Sequence, residues 1–270
     1  MSALFSSSEL DRIADARRQM ARRLGLDSDT LPVFGALEEP GFFPLLAPET
    51  LRTIEQGDRT ALARTIDHTL LKPDATPEQI ARLCSEAVEK RFRAVCVNGV
   101  HVAHARTALG DSGVQTACVV GFPLGQMATA AKAAEARLAV EDGAAEIDMV
   151  LNLGWLKSGR WQETFEDIQD VIRAAGVPVK VILETALLDD GQKVAAALLS
   201  VFAGAAFVKT STGFASGGAT ARDVALLRAS VGEASGVKAS GGIRSYEDCL
   251  AMLRAGANRI GTSSGPAIVG

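Results

Sequence analysis

The chain has 270 residues, a formal net charge of −4, 47% hydrophobic residues and 22% charged residues. That is ordinary for a soluble globular protein of one large or two small domains, and it carries no global basic character, which excludes nucleic acid as a partner class. No apolar run approaches the roughly 18 residues of a membrane span, and Met1-Ser2-Ala3-Leu4-Phe5 has no basic region leading into an apolar run, so neither a membrane partner nor a secretory signal is expected.

Residues 1–60 differ in character from the rest. They hold Ser6-Ser7-Ser8, an arginine patch from Arg17-Arg18 to Arg22-Arg23, and the stretch Glu39-Pro40-Gly41-Phe42-Phe43-Pro44. The pattern predicts a helix near 8–24 with a solvated arginine face, then a loop, then a helix near 48–57.

From residue 61 onward, short runs rich in Val, Ile and Ala alternate with helical patterns. Eight strands are predicted: Arg64–Leu70, Ala94–Val97, Gln115–Val120, Glu146–Leu151, Val179–Leu183, Ala206–Lys209, Gly236–Ala239 and Arg259–Gly261. Thr76-Pro77-Glu78-Gln79 has the form of a capped helix start, and Ile80, Leu83, Cys84, Ala87 and Val88 follow at the spacing of one buried face. Ser245-Tyr246-Glu247-Asp248 is a looser version of the same start. Gly143-Ala144, Gly204-Ala205 and Gly256-Ala257 end helices and lead into strands. The expected fold is therefore α/β, a (β/α)₈ TIM barrel over 61–270 with an N-terminal helical extension over 1–60. An open doubly wound sheet is the rival, but Asp67-His68-Thr69-Leu70-Leu71-Lys72-Pro73 occupies the place where its glycine-rich fingerprint would fall. Only Ser264–Gly270 follows the eighth strand, too few for a full helix. Part of residues 1–60 is expected to cover the barrel there.

Barrel enzymes work at the C-terminal ends of their strands. Phe207-Val208-Lys209-Thr210-Ser211-Thr212-Gly213 puts a lysine at such an end, before a loop of small and hydroxyl residues. One reading is a solvated lysine at a strand terminus; the other is a partly desolvated amine able to form a Schiff base. Lys238 ends the next strand, close enough for two like charges to lower one pKa. Asp148 is a carboxylate inside an apolar strand, suited to proton transfer or to orienting a lysine, and Asp67 would support the same network. Ser240-Gly241-Gly242 and Gly261-Thr262-Ser263-Ser264 follow strands seven and eight, where backbone N–H groups commonly hold a phosphate. Thr210 and Gly213 border the same place, and Cys96 and Asn98 end strand two.

No metal or other cofactor is expected. His101 and His104 share a predicted helix without a third ligand, and the four cysteines form no CxxC pair. That cysteine usage fits a reduced cytoplasmic setting.

The motifs IDHTLLKP (66–73), AVCVN (94–98), GFPLG (121–125), EIDMVLN (146–152), KVILET (180–185), FVKTSTGF (207–214), VKASGGIR (237–244) and RIGTSSG (259–265) resemble, in order, those of deoxyribose-phosphate aldolases. The resemblance implies a metal-independent class I aldolase that reversibly cleaves 2-deoxy-D-ribose 5-phosphate to D-glyceraldehyde 3-phosphate and acetaldehyde. In that likeness Lys209 is the Schiff-base lysine and Lys238 the lysine that lowers its pKa. Asp148 is the proton-transfer aspartate, Asp67 its support, and the glycine and serine loops the phosphate site. Partners would be phosphosugar and aldehyde substrates, and the assembly a homo-oligomer, dimer or tetramer. Two departures stand out. Phe214 occupies the place where some members carry a phosphate-binding lysine, and the chain shows no C-terminal tail with a tyrosine, its one tyrosine being Tyr246. Another phosphosugar enzyme on the same barrel, or a non-catalytic phosphosugar-binding barrel, are the alternatives.

Overall fold

The alternation of apolar runs and helical segments resolves, in the computed structural model, into a closed all-parallel barrel; residues 5–26 and 46–270 are described. The strands are β1 (Ile66–Thr69), β2 (Ala94–Val97), β3 (Gln115–Val120), β4 (Glu146–Val150), β5 (Val179–Ile182), β6 (Phe207–Lys209), β7 (Gly236–Ser240) and β8 (Arg259–Thr262). Each pairs with its neighbour in sequence, and β8 closes on β1 with Asp67 opposite Gly261. All eight predicted strands lie within two residues of these bounds.

The largest shift is at β1, which starts at Ile66 rather than Arg64. A short helix not read from the sequence, α3 (Arg59–Ala63), runs almost to the strand, and the Thr65 hydroxyl donates to Leu62 O at 2.8 Å. β-Branched Thr65-Ile66 looks like strand by composition, but the helix end claims Thr65.

Strand residues alternate between two environments. Val95, Val97, Cys118, Val120, Ile147, Met149, Val179 and Val181 face the helices and form the main apolar core with them. Cys96, Ala117 and Val119 pack together inside the barrel with Leu71. The same two-residue period sends Glu146 and Asp148 of β4, and Lys180 of β5, inward.

The outer helices are α4 (Pro77–Lys90), α5 (Val102–Leu109), α6 (Thr129–Glu141), α8 (Trp161–Ala175), α9 (Asp190–Phe202), α10 (Ala221–Val231) and α11 (Tyr246–Arg254), with a short α7 (Leu153–Lys157) before α8. α4 starts on a capping box between Thr76 and Gln79 with Pro77 in its first turn, and buries Ile80, Leu83, Cys84 and Ala87. Val88, expected on that face, is instead 40% exposed. α11 starts on a box between Ser245 and Asp248. Gly143, Gly204 and Gly256 have φ near +100°, so each turns the chain from a helix end into the next strand as only glycine does readily.

The described part of residues 1–60 does two things. α1 (Ser7–Arg23) buries Met20 and Ala21 and packs on α9 and α10. Its arginines mostly face solvent, although Arg23 lies 4.4 Å over the Trp161 ring. α2 (Pro48–Glu55) packs on α11 and on α3, α3 on α12 (Gly265–Val269), and α12 on α4. Together these three short helices occupy the ring position between α11 and α4. Arg254 Nε donates to Glu55 at 2.8 Å, Tyr246 donates its hydroxyl proton to Ile54 O, and Arg59 donates to Ile268 O at 3.2 Å. The predicted loop over 39–44 lies outside the described residues. Among the described residues no helix is long and apolar enough to cross a membrane.

Candidate active site

Seven charged side chains meet inside the barrel, each from a strand whose alternation points it at the axis. Asp67 comes from β1, Glu146 and Asp148 from β4, Lys180 from β5, Lys209 from β6, Lys238 from β7 and Arg259 from β8. None of the seven side chains is more than 5% exposed. Burial on that scale is tolerated only where opposite charges pair and the remaining valences are filled.

Asp148 is the hub. Its Oδ2 accepts from Lys209 Nζ at 2.7 Å and from Lys238 Nζ at 2.8 Å, and its Oδ1 from Lys180 Nζ at 2.7 Å. Lys238 also donates to Asp67. Lys180 sits 2.6 Å from Glu146, and Arg259 lies 2.8 Å from Asp67 and 3.0 Å from Glu146. Burial opposes ionisation of Asp148, but the ammonium groups of Lys180 and Lys238, joined by Lys209 whenever it is protonated, outweigh it and hold the carboxyl well below the usual range. Arg259 and Lys238 do the same for Asp67. Burial likewise disfavours charge on Lys238, and Asp148 and Asp67 reverse that and push its pKa up.

Lys209 and Lys238 are direct register partners across β6 and β7, as their positions at adjacent strand ends predict. A carboxylate oxygen of Asp148 bridges the two amines, and Lys238 is also paired with Asp67. Gly261 makes this packing possible: a Cβ there would lie 3.0 Å from Lys238 Cε and 2.9 Å from Ser240 Cβ.

Above the network is a cleft of about 330 Å³ at the C-terminal ends of the strands. Of the residues singled out from sequence, Lys209, Gly213, Ser240, Gly241, Gly242, Gly261 and Ser263 line it. Lys72 and Arg244 add two cations, and Phe214 is half exposed at the rim, edge-on to Phe122 with ring centroids 5.2 Å apart. Gly241 and Gly242, both lining the cleft, have φ of +87° and +80°, a backbone region that glycine adopts readily.

Other sequence candidates take supporting positions. The Thr210 hydroxyl donates to Ser240 O and accepts from Ser240 N, both at 3.0 Å, and clips β6 to β7. Asn98 donates to Leu71 O at 3.4 Å and ties two loops together. Ser264 uses its N–H on the Thr262 hydroxyl at 2.9 Å. Cys96 is fully buried inside the barrel, and burial followed by the Asp148 charge pushes its thiol up to about 11. It is a neutral thiol at neutral pH.

Sequence reasoning missed Glu146, Lys180 and Arg259. The signal was present: the charged residues alternate with the outward apolar residues Ile147, Met149, Val179, Val181 and Ile260 of β4, β5 and β8. It also left aside Glu184, whose backbone sits in the left-handed region at φ 52°. Its Oε2 accepts from Thr212 N at 3.2 Å and from the Thr212 hydroxyl, holding the loop after Lys209. Among the described residues, no three His, Cys, Asp or Glu side chains group to hold a metal ion.

A family model described as DeoC/LacD family aldolase matches residues 61–269. A deoxyribose-phosphate aldolase of Carboxydothermus hydrogenoformans is 54% identical over 215 residues, 78% of this chain and 94% of its own. One of Thermotoga maritima is 56% identical over 205 residues, 76% of this chain and 83% of its own. Among solved structures, a protein from Coccidioides immitis superposes with a TM-score of 0.79 at 38% identity, covering 98% of this chain and 97% of that one. A deoxyribose phosphate aldolase from Aeropyrum pernix, described as a unique tetramer, superposes at 0.75 with 36% identity, covering 83% and 97%.

Proposed function

The chain belongs to the DeoC/LacD family of aldolases, and from that premise we propose that it reversibly cleaves 2-deoxy-D-ribose 5-phosphate to D-glyceraldehyde 3-phosphate and acetaldehyde through an imine on Lys209. The observation that carries the residue assignment is the position of Lys209. It is the one lysine of the buried network that also lines the cleft.

In the cleavage direction the neutral Lys209 amine adds to C1 of the open-chain sugar. Loss of water gives the iminium ion. A water held between Asp148 and Lys238 takes the proton of the 3-hydroxyl, the C2–C3 bond breaks, and its electron pair moves into the iminium to give an enamine. The carbonyl formed at C3 leaves with glyceraldehyde 3-phosphate. The enamine takes a proton at C2, and water releases acetaldehyde and the free amine. Asp148, ionised at rest at neutral pH, takes that proton from the water and returns it through the same water to C2 of the enamine. Lys238, kept charged, stabilises the developing alkoxide. Asp67 fixes Lys238.

The substrate phosphate lies against the loops of Ser240-Gly241-Gly242 and Gly261-Thr262-Ser263, with Ser264 holding the second loop in shape. Thr210, Asn98 and Cys96 shape the wall of the site. The described helices that precede residue 61 form an extension to a barrel domain over 61–270. The protein works in the cytoplasm as a homo-oligomer, a reading supported by the tetrameric Aeropyrum pernix relative. A coupled assay for acetaldehyde release from deoxyribose 5-phosphate tests the reaction: steady turnover that survives EDTA is expected, and no release at any concentration would refute it.

A further inference from the structure

We propose that Glu146 and Arg259, at the floor of the barrel and out of reach of any substrate, set the protonation of Lys209 by charge balance. The inference rests on Lys209 being the imine-forming residue. Both are the first residues of their strands, whereas Lys209 is the last of β6.

The network holds four bases, Lys180, Lys209, Lys238 and Arg259, against three acids, Asp67, Glu146 and Asp148. With every group ionised, a cluster this deeply buried would carry a net positive charge, which a low-dielectric interior penalises. Neutrality needs one base without its proton. Arg259 is a guanidinium held by both Asp67 and Glu146 and stays charged. Lys180 touches Glu146 and Asp148, with Asp67 at 4.0 Å, and Lys238 touches Asp67 and Asp148. Lys209 touches Asp148 alone and opens on the cleft. It is the base that gives up its proton at least cost.

Among the described residues no other group upsets the count. Cys96 on β2 is a neutral thiol, with its pKa pushed up to about 11. β3 presents Ala117 and Val119. Glu184, at the top of β5, faces Thr212 and touches none of the four bases. Lys72 and Arg244 stand at the rim of the cleft, in solvent.

The test is the pH dependence of reductive trapping with acetaldehyde and cyanoborohydride, with the adduct counted on Lys209. Glu146→Gln removes an anion and leaves the site with excess positive charge, so Lys209 loses its proton at lower pH. Arg259→Gln removes the fixed cation, so three bases balance three acids and Lys209 keeps its proton to higher pH. The expected displacements are opposite in sign and about one pH unit or more each. Arg259→Lys should keep the wild-type midpoint, and the double variant should return close to it. A purely structural role would lower melting temperature without moving the midpoint. Coincident midpoints, or shifts of the same sign, would overturn the inference. Glu146→Gln is isosteric and carries the test alone if Arg259→Gln does not fold. Absence of any adduct on wild-type Lys209 would overturn the imine assignment itself, and this inference with it.

Discussion

Lys132 and Asp167, between α6 and α8, are as deeply buried as the charges on the barrel axis, yet the two sites are built on different arithmetic. Lys132 donates to Asp167 at 2.7 Å and to Val150 O at 3.1 Å, while the other Asp167 oxygen accepts from Thr129 at 2.8 Å. One cation meets one anion, and neighbouring polar groups fill the rest. On the axis four bases share three acids, and the base with the fewest partners faces the cleft. A closed, matched pair locks helices together; in the open, unmatched cluster one amine has a single acidic partner and faces the cleft. Depth of burial does not distinguish a structural charge from a chemical one. Stoichiometry and access do.

Substitutions that separate the two sites should break folding in one case and chemistry in the other. Lys209→Leu should lower turnover by at least about 10⁴-fold, the scale of losing a covalent nucleophile. It should leave the urea midpoint unchanged or raised, because it removes the surplus base. Steady-state assay and urea titration of the same sample read both. Lys132→Met should do the reverse. It strands Asp167 and should cost about 3–5 kcal/mol of stability, while trapping of acetaldehyde by the folded fraction stays near wild type. Loss of trapping with stability intact would erase the distinction.

The axis was only half legible in the sequence. Lys209, Lys238 and Asp148 announce themselves because each stands at or near the C-terminal end of an apolar strand, where barrel chemistry is sought. Glu146 and Arg259 begin their strands, and Lys180 sits mid-strand between two valines. Such residues gain meaning only when eight strands close and bring them to one axis. The eight strands themselves were legible because turn glycines and capped helices bracket each apolar run. α3 was not, since five residues carry too little period to read, nor was the docking of α1 on α9 and α10, which depends on surfaces brought together by the barrel.

Acid should expose the carboxylate side of the axis. Asp67, Glu146 and Asp148 all have folded pKa values below the ordinary range, so their contribution is complete above about pH 4.5 and is lost as pH falls below that. Lys180 and Lys238 have theirs raised, so their contribution persists through neutrality and fades only above about pH 10.5. Urea midpoints across pH should therefore show a broad plateau with an acid edge, and Glu146→Gln should soften that edge. The smallest effect is expected at the rim. Phe214→Lys should lower KM for deoxyribose 5-phosphate by roughly 5-fold, about 1 kcal/mol of added phosphate attraction, with kcat little changed. An unchanged KM would place the phosphate away from residue 214.

Lys209 is the residue expected to bond to substrate. Treatment with acetaldehyde and borohydride, followed by peptide mapping, tests this directly. A single reduced two-carbon adduct on Lys209, absent from Lys209→Leu, is predicted; an adduct on Lys238 or Lys180 in its place would contradict it.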